Sequence, residues 1–495
     1  MTEENEEVPR FHRRPRGIND TTPPPTPLVA FEPHEEVAAA EFVSYRGKDF
    51  RYNNNRGQWM SWKGGVWVAD EKNTADHEMR QMVTRRRLMG DLTAQNYGKL
   101  AKHSFASNAL RSAQVHPMFS VVEADFDANP YLVACPSGYV DLRTGEIKGH
   151  DRDLMLSKCC GVDPAEKAEN GQWDDFLAQT TEGVVGLAEY LQKFMGYALS
   201  GLMNEEIMTF MYGPGGNGKG VLLKSIANVF GTYAISAPSE VFMAREYKGH
   251  STEVARLAGA RLILASELDE KSRWDMKFIK EWTGNEVKIT ARFMRQDDFS
   301  FDPIGKLLFV GNHKPTIGTV DDATARRLRM LPFMNKPKIV DGQLKDKMRA
   351  SYPAILRWVL DGAVKYFEEK HLRPPASVEG VTMSYLQDQD LVSDFIDQHT
   401  IKARDVEYIL NRDLKTALQI YGELNGVKAP SMTAINKRFN DIGIPTSNIK
   451  SPKGERCVRR VQLSQDMLKK ISERRNREGM TADGRPMSGK SGHTE

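Results

Sequence analysis

The stretch Glu206–Gly231, EIMTFMYGPGGNGKGVLLKSIANVFG, decides how the rest of the chain is read. It joins an apolar run, Ile207–Tyr212, to a glycine-rich segment and then to Val221–Phe230, whose apolar residues have helical spacing. The middle part fits the pattern G-x-x-x-x-G-K. In such a loop the small residues let successive backbone N–H groups turn toward a phosphate, and the helix that follows favours negative charge at its N-terminus. Gly213, Pro214, Gly215, Gly216, Asn217, Gly218, Lys219 and Gly220 are therefore the candidate nucleotide cradle, with Lys219 reaching the β and γ oxygens. A glycine turn alone says little, but a strand before it, a helix after it and a lysine at its end point to nucleotide binding. One position departs from the pattern. Gly220 stands where a Ser or Thr hydroxyl ordinarily ligates magnesium, so either another group fills that place, or turnover is slow, or nucleotide is bound without hydrolysis.

Downstream, Arg261–Glu270 (RLILASELDE) and Lys306–Pro315 (KLLFVGNHKP) carry short apolar runs of the kind buried in a parallel sheet. The first brings Glu267 to a strand end, where a carboxylate can polarise water or hold a metal; Asp269 and Glu270 leave open which acid does so. The second delivers Asn312, an amide able to bond both a γ-phosphate and an attacking water. Asp321–Phe333 (DDATARRLRMLPF) then places Arg326 and Arg327 before another apolar run, as candidates to neutralise transition-state charge. This alternation predicts an α/β fold, a phosphate-loop ATPase core with a parallel sheet from about Met203 to Phe333.

The flanks read differently. Residues 1–40, with the cluster TTPPPTP, have the composition of a disordered arm. Residues 41–202 are expected to form an α+β and helical module: a hairpin around Gly64-Gly65, helical spacing from His77 to Ser112, a small sheet in Asn129–His150, and helices in Trp173–Gly201. Residues 203–375 hold the core and a helical extension, Tyr352–Lys370. Residues 385–463, with helices at Asp413–Leu424 and Ser431–Gly443 and a turn at Ser451–Gly454 that splits two short strands, suit a winged-helix-like domain, and 464–495 read as a basic flexible tail.

Composition narrows the classes. With 69 Lys plus Arg against 66 Asp plus Glu, the net charge of +3 gives no general attraction for a polyanion, so any basic surface is local. The four cysteines include no C-x-x-C pair, which argues against a disulfide framework or an ordinary zinc site. No apolar run reaches the ~18 residues of a membrane span, and the start MTEENEEVP is not a signal peptide. A cytoplasmic protein without a membrane partner is the expectation.

In order along the chain, GGVWVAD, NPYLVACPSGYVDLRTGEI, YLQKFMGYALSG, MYGPGGNGKGVLLKSI, RLILASELDE, IKEWTGNEVKITARFMRQ, LLFVGNHKP and ATARRLRMLPF resemble the superfamily 3 helicases, specifically the C-terminal half of phage and plasmid primase-helicases related to the poxvirus primase-helicase. The resemblance implies an AAA+-like core, ATP and magnesium as cofactors, and a homo-hexameric ring in which a neighbour's arginine reaches the phosphates held at Lys219. It also implies 3′ to 5′ movement on single-stranded DNA in replication. The segment Ile279–Gln296 corresponds to an extra motif of that family. Glu286–Met294 and Phe299–Phe301 read as paired strands around the turn Arg295–Asp298, a hairpin that carries Arg292 or Arg295 into the ring channel, with Lys288 on the same face as Arg292 and Lys280 on the preceding helix. Too few residues precede the module for a primer-synthesising domain, so the chain is expected to be the helicase part, working with a separate primase and other replication proteins.

In the C-terminal domain Lys437, Arg438, Lys450, Lys453, Arg456, Arg459 and Arg460 make a local basic surface, either a duplex contact or a solubilising face. A second reading of the whole is a nucleotide-stabilised DNA-binding ring or loader that does not unwind, for which Gly220 is the best support. A motor on RNA differs only in substrate.

Overall fold

The computed structural model describes residues 34–89, 93–244, 251–266, 273–284, 286–294, 297–317, 320–337, 341–404, 406–425, 429–446, 449–478 and 480–481. These form two units, Met1–Ser61 with Ala69–Glu123 and Trp62–Val68 with Ala124–Glu495. The expected module 41–202 is thus divided: its part after Glu123 folds with the sheet that follows.

In the first unit a helix, Glu35–Arg46, packs with helices Thr74–Met89 and His103–Gln114 around Phe42, Phe50, Met79, Phe105 and Phe119. The expected arm ends earlier than residue 40, because Ala38 and Ala39 are buried on that helix. The remainder of the arm, residues 1–33, lies outside the described residues. Strand Phe50–Asn53 pairs antiparallel with Gln58–Ser61 and parallel with Ser120–Val121.

The second unit contains a five-stranded sheet built from β1 (Met208–Tyr212), β2 (Ala234–Pro238), β3 (Leu262–Ser266), β4 (Lys306–Gly311) and β5 (Leu328–Pro332). All pairs are parallel and the order is β5-β1-β4-β3-β2. Alternation along each strand divides two cores. Met211, Leu262, Leu264, Leu308 and Leu331 face one, while Met208, Phe210, Ile263, Leu307, Phe309 and Met330 face the other. Such strands, covered on both sides, read as continuous apolar runs rather than alternating ones.

The helices are α1 (Gly171–Thr180), α2 (Leu187–Leu199), α3 (Lys219–Phe230), α4 (Met276–Gly284), α5 (Asp322–Arg327) and α6 (Tyr352–Glu369). The first core takes α1, α2, α3 and α6; the second takes α4. Helices α1 and α2, which the sequence reading grouped with the N-terminal module, are therefore one wall of the sheet domain. The small sheet in Asn129–His150 is present as three antiparallel strands, Leu132–Cys135, Gly138–Asp141 and Glu146–Lys148, with turns at Pro136–Ser137 and Leu142–Gly145.

Next comes α7 (Ala376–His399), whose N-terminal half contributes Tyr385 and Leu386 to the second core. Its C-terminal half contributes Val392, Phe395 and Ile396 to a separate third core. That third core is completed by β6 (Thr400–Lys402), β7 (Tyr408–Leu410), α8 (Asn411–Leu424), α9 (Met432–Asp441), β8 (Cys457–Arg459), β9 (Val461–Leu463) and α10 (Gln465–Arg477). The partners differ from expectation. β8 pairs with β7 and β9 with β6, so the turn at Ser451–Gly454 separates only a bridge, Lys450 to Arg456. The expected tail from 464 begins as α10, capped by Ser464, with Met467 and Ile471 buried in the same core. No helix among the described residues is long and apolar enough to cross a membrane.

Candidate nucleotide site and its neighbours

Strand β1 ends at Tyr212 and α3 begins at Lys219, so Gly213–Gly218 is a strand-to-helix loop. Gly218, at φ +86°, turns the chain into the helix. Its missing side chain also makes room: a Cβ there would lie 2.4 Å from Thr180 and 3.1 Å from Phe176, both on α1. Asn217 is buried and donates to the Phe333 carbonyl just past β5, tying the loop to the neighbouring strand.

Lys219 folds back into this loop. Its ammonium donates to the carbonyls of Gly213 (2.8 Å) and Pro214 (3.1 Å), to Asn217 Oδ1 (2.9 Å) and to Asn312 Oδ1 (3.3 Å). The residue is 5 % exposed, and burial lowers its pKa. Among the described residues these acceptors are all neutral oxygens, which solvate the positive charge without balancing it. A buried cation in that condition favours an anion.

The register explains why Asn312 arrives there. Val310 and Gly311 of β4 pair with Met211 and Tyr212 of β1, so Asn312 follows beside Gly213. On the far side of β4, Ala265 of β3 pairs with Phe309, which brings the end of β3 to the same edge. Glu267, Asp269 and Glu270 lie outside the described residues, as does Arg295.

The two arginines are at the opposite end. Leu328 of β5 pairs with Met208, at the start of β1, and α5 precedes it. At ~3.3 Å per residue, a five-residue strand puts Arg326 and Arg327 roughly 13–16 Å from the loop. They also differ from one another. The Arg327 side chain is 6 % exposed, pairs with Glu206 at 2.6 Å and donates to Thr283 Oγ1 (3.0 Å) and the Ala323 carbonyl (3.1 Å). Arg326 is 64 % exposed and only 3.5 Å from the same carboxylate. Of the expected pair, Arg327 is held by partners within the chain and Arg326 is the one presented outward. Arg327→Met should lower stability by about 1–3 kcal/mol, because it strips partners from Glu206 and Thr283. Thermal melting checks this; an unchanged melting temperature would count against it.

The expected hairpin exists but is shorter. Ile289–Ala291 pairs antiparallel with Phe299–Phe301. Lys288 and Arg292 flank it on the wet face, each with a loose acidic partner: Asp302 at 3.6 Å and Asp298 at 3.7 Å. Exposed pairs of that kind are worth ~0–1 kcal/mol, so a phosphate can displace them. Lys280 is different, since it grips both carboxylate oxygens of Asp321, the residue that caps α5. With Lys280 and Thr324 as donors, the Asp321 carboxyl is drawn down to about 2. Lys280 thus braces the arginine helix and does not point freely at a ligand.

Sequence reasoning missed the α1 roof over Gly218, the Glu206 partner of the arginines and the bracing pair, all long-range contacts without a local pattern. A further difference concerns α9. Lys437, read as part of a basic surface, donates to the Lys314 carbonyl beyond β4.

Residues 39–182 match the family described as D5 N terminal like, and residues 211–327 match a family of unknown function (DUF5906). A protein provisionally named a helicase in Acanthamoeba polyphaga mimivirus is 27 % identical over 56 % of this chain and 31 % of its own length. Another so named in Invertebrate iridescent virus 6 is 31 % identical over 29 % of this chain and 16 % of its own length. One provisionally named a primase in African swine fever virus (isolate Pig/Kenya/KEN-50/1950) is 20 % identical over 66 % of this chain and 36 % of its length. The chain spans about a third or less of the curated relatives it matches. Among solved structures, the apo C-terminal region of NrS-1 superposes with a TM-score of 0.45 at 10 % identity, covering 88 % of this chain and 100 % of that one.

Proposed function

We infer that this chain, a member of the primase-helicase family, is an ATP-driven motor that separates DNA strands during replication. The observation that carries the reading is the Lys219 ammonium, buried among neutral oxygens in a glycine loop at a helix N-terminus, with Asn312 beside it. Loop amides and Lys219 would hold the phosphates; Asn312 would orient the attacking water; Glu267 would polarise that water or hold magnesium, which supplies charge neutralisation when bound. The distance between the loop and Arg326 in one subunit favours a ring, homo-hexameric in this reading, in which each Arg326 serves its neighbour's nucleotide. Single-stranded DNA would thread the ring and meet Lys288, Arg292 and Arg295 on the hairpin, moving 3′ to 5′. A direct test is ATP hydrolysis with and without single-stranded DNA, together with release of a labelled strand from a forked duplex. Stimulated hydrolysis with release is the expected result; no hydrolysis under either condition refutes the motor.

Gly220 favours a second reading, a nucleotide-stabilised ring that loads or holds DNA without unwinding it. ATP-dependent assembly without strand release would support that instead. The same position gives a sharper prediction. A Cβ at Gly220 would meet nothing within 4 Å, so Gly220→Ser is accommodated without strain on its neighbours. One added magnesium ligand worth about 1 kcal/mol should lower the magnesium concentration for half-maximal ATPase roughly fivefold. A titration showing no shift would mean that the hydroxyl's place is already filled.

A further inference from the structure

The segment that follows Asn312 is gripped by the C-terminal helices, residue after residue. The Lys314 ammonium lies 4.3 Å from the ring centre of Tyr212, at the end of β1, and the Lys314 carbonyl accepts from Lys437 of α9. The Pro315 carbonyl accepts from the Tyr385 hydroxyl of α7. Thr316, 1 % exposed, donates its hydroxyl to Asp441 Oδ2 at the end of α9, at 2.5 Å. The Ile317 N–H donates to Gln389 Oε1 of α7 at 3.2 Å. From the opposite side, the Thr316 carbonyl accepts from the Trp274 N–H at 3.0 Å. Connecting segments usually give such groups to water, so this one is unusually fixed.

We propose that α7 and α9 form a clamp that sets Asn312 at the nucleotide, making Thr316, Tyr385, Lys437 and Asp441 positioning residues for turnover. The clamp begins two residues beyond Asn312, whose Oδ1 is 3.3 Å from the Lys219 ammonium. A displacement of the clamped carbonyls is passed along this short segment to an amide that must meet both phosphate and water. Misplacement of a catalytic group by ~1 Å is enough to slow turnover strongly while leaving phosphate binding to the loop intact. The same arrangement makes α9 a reporter between the C-terminal module and the nucleotide, in place of a freely presented DNA-reading helix.

The proposal rests on the hydrolytic reading above, and the test separates the two. In the full chain, Thr316→Val with Tyr385→Phe removes two donors and little volume. The expected result is a kcat lower by about tenfold, with the Kd for a fluorescent non-hydrolysable ATP analogue within about twofold of wild type. Thr316→Ser keeps the hydroxyl and should keep kcat, an outcome that a packing role would not produce. In an Asn312→Ala background, Thr316→Val should add no further loss, because both act through the same amide. An unchanged kcat in the double variant, or a full multiplicative loss on top of Asn312→Ala, overturns the clamp. Should the double variant melt below the assay temperature, Lys437→Met carries the same expectation by removing the donor to the Lys314 carbonyl. A wild-type chain that binds the analogue yet turns over no ATP sinks the hydrolytic reading and the clamp together, and that control tells this failure from the others.

Discussion

Replacing Lys219 by Ala will reduce ATP hydrolysis by at least about 100-fold, the loss typical of removing one preorganised charge-stabilising donor. The fold should survive the change. Lys219 is a buried cation whose partners are the Gly213 and Pro214 carbonyls and the Asn217 and Asn312 amide oxygens. Its removal frees those acceptors but also relieves a charge that no carboxylate among the described residues balances, two terms of opposite sign and each of a few kcal/mol at most. The melting temperature should therefore move by only a few degrees, while nucleotide-dependent protection from melting disappears. Differential scanning fluorimetry with and without ATP, alongside phosphate release, reads both. A variant that hydrolyses ATP normally in the presence of single-stranded DNA would show that the loop is not the phosphate site.

The second large effect concerns Arg326. Its side chain is 64 % exposed and sits beyond the start of β5, a full strand length from Lys219 in the same chain. Arg326→Ala should leave nucleotide binding intact and lower kcat by roughly 1,000-fold, the lower end for an arginine that stabilises phosphoryl transfer. The decisive version is a mixture. Lys219→Ala subunits lack a working loop but present Arg326; Arg326→Ala subunits have the reverse. If the arginine acts across a subunit boundary, mixing two inactive proteins restores a measurable fraction of activity, since some interfaces pair an intact loop with an intact arginine. If it acts within one chain, every mixture stays inactive. Arg327→Met in the same experiment should behave as a destabilised protein with no rescue pattern, because that guanidinium is spent on Glu206 and Thr283.

What the sequence made legible was whatever is written locally. The loop with its lysine, the strand ends that deliver Asn312, the hairpin with alternating Lys288 and Arg292, and the small sheet around Asn129–His150 all depend on residues within one or two elements. The sheet strands were visible as apolar runs because burial on both faces removes alternation. What stayed hidden depended on distant partners. Nothing local distinguishes Arg326 from Arg327; the difference is how closely Glu206, 121 positions from Arg327, and Thr283 hold the second of them. Nothing near Lys437 announces that its ammonium is used by a carbonyl at Lys314. Helices α1 and α2 were grouped with what precedes them, because helical spacing tells which face is apolar and not which core it enters. The strands β6 and β7 were missed because three residues each is too short for a period to be seen.

Helix α7 bears on how these proteins can be recombined. Its 24 residues, roughly 36 Å long, begin in the core behind the sheet and end in the core of the C-terminal module. Near its start, Thr382 accepts a hydrogen bond from the Met330 N–H of β5. A crossover between relatives placed at the apparent domain border would cut this shared beam and unseat an edge strand of the sheet. Only a junction that keeps Ala376–Leu386 with the sheet, splicing helix to helix in register, would let one module be exchanged for another without loosening both.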